Sequence, residues 1–307
     1  MANYNIKQQA KVYIRTNNTF YQIEVQENLS FSQTFADSVT AVKTLQNSTD
    51  YFGRSNIKKA NVANFSFTML IIKQDYFKKV HDLLLSGDSF DLYIETNQDI
   101  WKLEKAVITE GAYQIERSEP LKLNVNGKAS KLSKYGTVGS VTFPFGTVDL
   151  NYNTGAKDYL MPKYLQVIVG GTDISSGIVS LKAQLQNSVQ WLKNHTVQAS
   201  LDVTDETNAI FPQDYVITKK SFAGSIGSYL RDDNDNFLNK FNEATSLSIK
   251  AGELDSSSNF HGFHFNLGSG AVSFTNRMEA KSVFTQSTDW KLATNPTLST
   301  SIIYSTV

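Results

Sequence analysis

The chain has 307 residues, 40% hydrophobic and 19% charged, with 29 basic and 29 acidic side chains and no net charge. A balanced chain without a basic stripe excludes a protein that holds nucleic acid by neutralising phosphates. The absence of cysteine excludes disulfides, thiol catalysis and cysteine metal sites.

Charge is replaced by Ser, Thr, Asn and Gln, which suits a surface buried against neighbours. A neutral chain also has no self-repulsion to oppose association. Met1 to Gln9 has no apolar core and is not read as a secretory leader. Apolar runs such as Met69 to Ile72 fall far short of the roughly 20 residues of a membrane span, so no membrane partner is expected.

Period-two alternation dominates from the start. Lys11 to Arg15 and Phe20 to Val25 flank the polar Thr16-Asn17-Asn18-Thr19, a hairpin pattern. Asn28 to Ser32 continues as strand, and Phe65, Phe67 and Met69 share one face of another. The period then changes. Phe77, Val80 and Leu84 follow i, i+3, i+7, which predicts a helix over 75–85 with Gly87 as its stop. Phe90, Leu92 and Ile94 return to period two. A hairpin-like stretch from Lys102 to Ala129 puts Leu121, Leu123 and Val125 on one side and Lys122, Asn124 and Asn126 on the other. Ser140 to Lys163 has no clear period and reads as a linker.

The same order then recurs. Leu165 to Val169 with the turn Gly170 to Asp173 matches the opening hairpin. Ile178 to Ala183 takes the place of the Leu29/Phe31 strand, and Ser221 to Ile226 that of Phe65 to Met69. Asn236 to Ala244 repeats the helix, and Leu247 to Ile249 repeats Leu92 to Ile94. Ala271 to Phe274 echoes Ala112 to Ile115, and Ala280 to Phe284 echoes Leu121 to Val125. The offset stays between about 150 and 160 residues, one domain length. The expected organisation is a first domain over 1–140, a linker over 141–163 and a second domain over 164–307. Each half also carries one long polar segment, Ala36 to Ala60 and Asn187 to Thr218, expected to be a loop that reaches a neighbour.

This order of hairpin, long loop, strand, single short helix, strand and final hairpin resembles the tube domain of long-tailed phage tails and related injection tubes. Asn61 to Ser130 and Lys219 to Trp290 carry the resemblance, which is topological and has no diagnostic motif. It implies a mainly β fold with one short helix per domain. Two tandem tube-like sandwich or barrel domains would contribute strands to a ring-closed β-barrel. With two domains fused, three chains would make a pseudo-hexameric ring, and rings would stack into a tube in the virion tail, assembled in the bacterial host cytoplasm. The implied partners are further copies, a tape-measure protein, double-stranded DNA in the lumen, and sheath, baseplate and tail-terminator proteins. The alternatives are a tube-initiating ring at the baseplate end and a carbohydrate-binding receptor-binding component.

Catalytic, cofactor and metal residues are not expected, nor is enzymatic activity. His261 and His264 fall in a strand-like context where i and i+3 point to opposite sides, with no third ligand nearby. Asp232 to Asn236 begins like a calcium loop, but Leu238 and Ala244 stand where Gly and Glu are required. Glu104, Glu110, Glu116 and Glu119 are spread along strands. Gly224 to Ser228 sits in a strand, where close backbone approach explains the glycines better than phosphate binding. Trp101, Trp191 and Trp290 read as packing anchors.

Overall fold

The computed structural model describes residues 5, 9–26, 28–38, 41–42, 50–51, 56–71, 76–116, 118–149, 159–192, 210–229, 246–268, 272–280, 283–292 and 302–305. The first half opens with β1 (Lys11–Thr16) and β2 (Thr19–Ile23). Asn17 and Asn18 join them at positive φ, 47° and 63°, as a tight two-residue hairpin turn requires. β3 (Ser30–Ser32) and β4 (Phe35–Ser38) lead to the short β5 (Ala41–Val42) and β6 (Asp50–Tyr51). The chain returns through β7 (Asn56–Ala60) and β8 (Ala63–Leu70). Then come α1 (Tyr76–Ser86), β9 (Phe90–Glu95), β10 (Asp99–Ile115), β11 (Lys122–Ala129), β12 (Lys131–Thr137) and β13 (Thr147–Asp149). The second half contains β14 (Tyr164–Val169), β15 (Thr172–Asp173), a 3-10 turn at Ser175–Gly177, β16 (Ile178–Leu192) and β17 (Asp214–Tyr229). It ends with β18 (Leu247–Leu254), β19 (Phe260–Leu267), β20 (Val272–Ala280), β21 (Phe284–Leu292) and β22 (Ile302–Ser305).

These strands form two layers. The inner layer is one run of strands in the order β3-β8-β11-β10-β16-β17-β21-β20. Its first four come from the first half and its last four from the second. In each set the chain order across the sheet is first, second, fourth, third. The outer layer has two sheets, β2-β1-β9-β10-β12 and β15-β14-β18-β19-β22, again with one shared order. β13 adds a parallel strand beside β2.

β10 belongs to both layers and fuses them into a 13-stranded sheet. Its first part pairs with β9 and β12, and its second with β11 and β16. The turn from one layer to the other falls at Lys105, at φ 50°, where the register with β9 slips between Leu103 and Ala106. Among the described residues the inner sheet does not close on itself, and β3 and β20 are its ends.

α1 forms where the period changes. Phe77, Val80 and Leu84 are buried, and Gly87 ends the helix at φ 75° with its N–H donating to the Leu83 carbonyl. The helix lies on the inner sheet between the two outer sheets. One continuous core runs through both halves. Tyr113 of β10 meets Phe263 and Phe265 of β19 at 4.7 and 5.0 Å between ring centroids, and Phe222 of β17 meets Phe265 at 5.2 Å.

Several expectations change. The linker is not free chain: Phe143 and Phe145 stand 5.5 and 5.0 Å from Phe20, capping the far face of the first outer sheet, and β13 follows them. The final hairpin of the first half runs on into β12, which the polar pattern after Ala129 hides. The long polar segments are paired strand at their bases. β4 pairs with β7, and β16 with β17 out to Leu192 and Asp214. Ala280 and Phe284, the ends of the segment expected to match β11, are the last paired residues of β20 and β21, and the strand that stands where β11 does is β21. The expected second helix, Asn236 to Ala244, lies outside the described residues.

His81 of α1 is 2% exposed, with Nε2 hydrogen-bonded to the Tyr113 hydroxyl at 3.1 Å. Burial pushes its pKa down to about 4. The unfolded chain takes up a proton near the ordinary value of about 6.5, and the native chain does not until about pH 4. Stability is therefore complete above pH 6.5 and falls across that window, by about 3 kcal/mol from this residue. Urea unfolding at pH 7.5 and 4.5 should show the loss, and His81→Phe should reduce the difference between the two.

Candidate assembly interface

The inner sheet has one packed face and one solvated face. On β11, Leu121, Leu123 and Val125 are buried, whereas Lys122 and Asn124 are half-buried and Asn126 is exposed, as the alternation predicts. Cross-strand pairing extends this solvated face over both halves. Asn124 lies beside Ala112, Ala112 beside Gln184 and Gln184 beside Ala223; the next row is Lys122, Gln114, Lys182 and Ser225. Amides and hydroxyls pair locally. Thr68 donates to Asn124 at 2.6 Å, Gln184 to Glu110, and Arg277 stands 3.8 Å from Asp289. The charges are of mixed sign and dispersed.

The halves join through β10 and β16, paired antiparallel from Glu110 opposite Gln186 to Ile115 opposite Leu181. Donors from the second half close this seam. Along β16 the inward positions run Leu181, Ala183, Leu185 and then Asn187, which is 3% exposed. The Asn187 amide donates to the Leu84 carbonyl at 2.9 Å and to the Ile108 carbonyl at 3.0 Å. Lys220 on β17 donates to the Leu85 and Ser86 carbonyls at 2.6 and 2.7 Å, and the Tyr215 hydroxyl to that of Gly87 at 3.0 Å. Together they satisfy the carbonyls that the C-terminus of α1 leaves unpaired and place a cation at the negative end of its dipole. Burial lowers the Lys220 pKa, and Asp88 partly offsets it. Sequence reasoning missed this cap. Its only signal was a polar residue, Asn187, at an apolar position of the alternation.

The segment expected to reach a neighbour begins by gripping its own first half. The Ala60 N–H donates to the Ile210 carbonyl at 2.9 Å, Ser130 donates to the Pro212 carbonyl, and Lys105 stands 3.5 Å from Asp214. Phe211 meets Phe35 at 6.1 Å. Beyond these contacts the sheet ends are open. β20 keeps regular register with β21 over its nine residues and has no described partner on its other edge. Exposed Met278 and Phe284 lie beside it, and exposed Phe35 lies at the opposite end on β4.

The candidate chemistry is dispersed. His261 stands 3.3 Å from Asp255 and His264 3.2 Å from Ser248, and no metal-binding group of three acidic or imidazole side chains occurs among the described residues. Asp255 is held down at about 2 by hydrogen bonds from the Asn259 side chain and backbone, so it organises the β18–β19 turn. The calcium-like run at 232–236 lies outside the described residues. Glu104 pairs with Lys102, Glu110 with Gln184 and Glu119 with Lys122, while Glu116 is exposed; the four are not gathered in a cleft. Gly224 is a close-approach glycine, since a Cβ there would meet Trp290 at 2.5 Å. Trp290 is buried, Trp101 packs against Phe31 at 6.3 Å, and Trp191 against Tyr215 at 5.5 Å. No described helix is long and apolar enough to cross a membrane.

No family model and no curated protein matches the chain. Among solved structures, the 6-fold symmetrised cryo-EM structure of the anti-feeding prophage (AFP) baseplate has a chain similar to this one at 13% identity and a TM-score of 0.33. The match covers 44% of this chain and 98% of the other.

Lys220→Met should cost about 2 kcal/mol, the worth of charge-assisted hydrogen bonds to helix-end carbonyls. Asn187→Leu should cost less than Asn187→Ala, because it refills the seam. Denaturant melts of the three variants check both statements.

Proposed function

We propose that this chain is a structural subunit of a phage-tail-like tube, built as two copies of one domain and assembling into rings through its inner sheet. The observation that carries this reading is the β10–β16 junction within a sheet whose two halves share one strand order. The third strand in chain order of the first half pairs with the first strand of the second. Among the described residues the third strand of the second half, β20, is left open, and so is the first strand of the first half, β3, with β4 following it in the chain. Repeating the internal junction between chains pairs β20 of one copy with the β3–β4 edge of the next. That is a head-to-tail contact, which makes closed rings when the rotation allows.

The dimensions suit a conduit. Three copies of eight inner strands, about 4.8 Å apart, give a circumference of about 115 Å and a diameter of about 37 Å before strand tilt widens it. Side chains from both walls take roughly 10 Å of this, leaving a hole wide enough for duplex DNA. The solvated face would line it. Dispersed amides, hydroxyls and charges of both signs offer passing phosphates no continuous cationic track. The resemblance to tube domains read in the sequence agrees, and with it the association with a tape-measure protein and a place in the tail.

Negative-stain microscopy and mass measurement of the purified chain test the proposal. Hollow tubes built of three-copy rings are the expected result. Rings that never stack would move the protein to the end of a tail, and glycan-binding monomers would overturn the proposal. Proline scanning across β20 adds a finer test. At alternate positions, those whose N–H groups face away from β21, proline should abolish rings and leave the monomer's melting temperature nearly unchanged.

A further inference from the structure

Helix α1 occupies the seam between the halves and touches four strands there. Below it, Leu84 rests on Gly111 of β10 and His81 on Tyr113. On one side, Lys79 lies over Tyr21 of β2, 5.1 Å from the ring centre. On the other, Phe77 meets Phe263 of β19 at 5.7 Å and Tyr304 of β22 at 4.8 Å. The helix thus separates the first outer sheet from the second, directly above the junction where β10 pairs with β16.

We infer that α1 is a wedge that sets the angle between the two halves, and that the Gly111–Leu84 contact fixes how deeply the wedge sits. The inference rests on the ring reading only for its consequence, the number of copies per ring. In a curved two-layer wall the outer layer has the longer circumference, and whatever fills the seam on that side determines the curvature. Gly111 lies opposite Val125 on one side and Leu185 on the other, at the middle of the joined inner sheet. A Cβ at this position would stand 2.2 Å from Leu84 Cδ2, 3.1 Å from Cδ1 and 3.2 Å from Cγ. Leu84 is fully buried, so in a close-packed interior its branch yields only at the expense of its neighbours or of the helix. Adding one methyl group at 111 therefore lifts the helix, and removing the Leu84 branch lets it settle. The donors from Asn187 and Lys220 hold the helix end to the second half, so a shift of the helix carries that half with it.

The absence of cysteine makes the test direct. Spin labels on Lys11→Cys and Asn266→Cys, one in each outer sheet, report the distance between halves in the full chain, and microscopy counts copies per ring. Gly111→Ala should shift the label distance and yield rings that differ in copy number or fail to close. Gly111→Ala combined with Leu84→Ala should return both readings towards those of the parent. If Gly111→Ala does not fold, Leu84→Ala alone should move the distance in the opposite direction to a bulkier Leu84→Phe. Folded variants with unchanged distance and ring size would overturn the inference. A parent chain that forms no rings, yet whose label distance responds as stated, would sink the ring proposal and leave the wedge standing.

Discussion

Strand β10 has to satisfy backbone groups on both edges along 17 residues, and no single sheet supplies partners for all of them. It does so by changing layers at Lys105, taking β9 and β12 first and then β11 and β16. The remaining architecture follows from that bend. The bend stacks outer sheet on inner sheet, makes room for a core between them, and presents the free edge of β10 to the second half. The second half divides the same course between two strands, β19 in its outer sheet and β20 in the inner one.

A shared sheet alone would leave the halves free to hinge about one row of hydrogen bonds. The seam is stiffened from above by aromatic packing and by α1. Tyr113 and Phe222 come from neighbouring halves of the inner sheet and both contact Phe265, so the second outer sheet straddles the junction. Asn187 satisfies the buried Leu84 carbonyl, and Lys220 holds the half-exposed carbonyls at the helix end. The first half is further closed on its far side by Phe143 and Phe145, so the stretch between the halves also contributes packing.

Much of this was legible in the residues because alternation reports a half-buried strand directly. Lys122, Asn124 and Asn126 against Leu121, Leu123 and Val125 gave the faces of the inner sheet, and Phe77, Val80, Leu84 and Gly87 gave a helix and its stop. What the residues did not disclose depends on long-range pairing. β12 and β13 carry polar or mixed patterns because they lie at outer edges, where burial is one-sided and weak. The strand bases of the long segments read as loop because each pairs only with the other end of its own polar segment and carries no clean alternation. Asn187, Lys220 and Tyr215 showed no motif, since they serve carbonyls in the other half of the chain.

The two kinds of sheet edge differ in a way that bears on assembly. β12, an edge of the first outer sheet, carries Lys131 and Lys134, and β2, at the other edge of that sheet, is covered by β13. These are the usual means by which an edge is kept from pairing with another chain. β20 has neither. It runs nine residues in regular register, without proline or bulge, with Ser273 and Thr275 towards solvent and exposed Met278 near its end. A regular, unguarded edge of that length is an aggregation hazard in a protein that works alone. In the proposed assembly, the first-strand edge at the far end of the same sheet would turn that hazard into a specific contact. The internal β10–β16 junction would then supply both its geometry and the reason that it propagates in one direction around a ring.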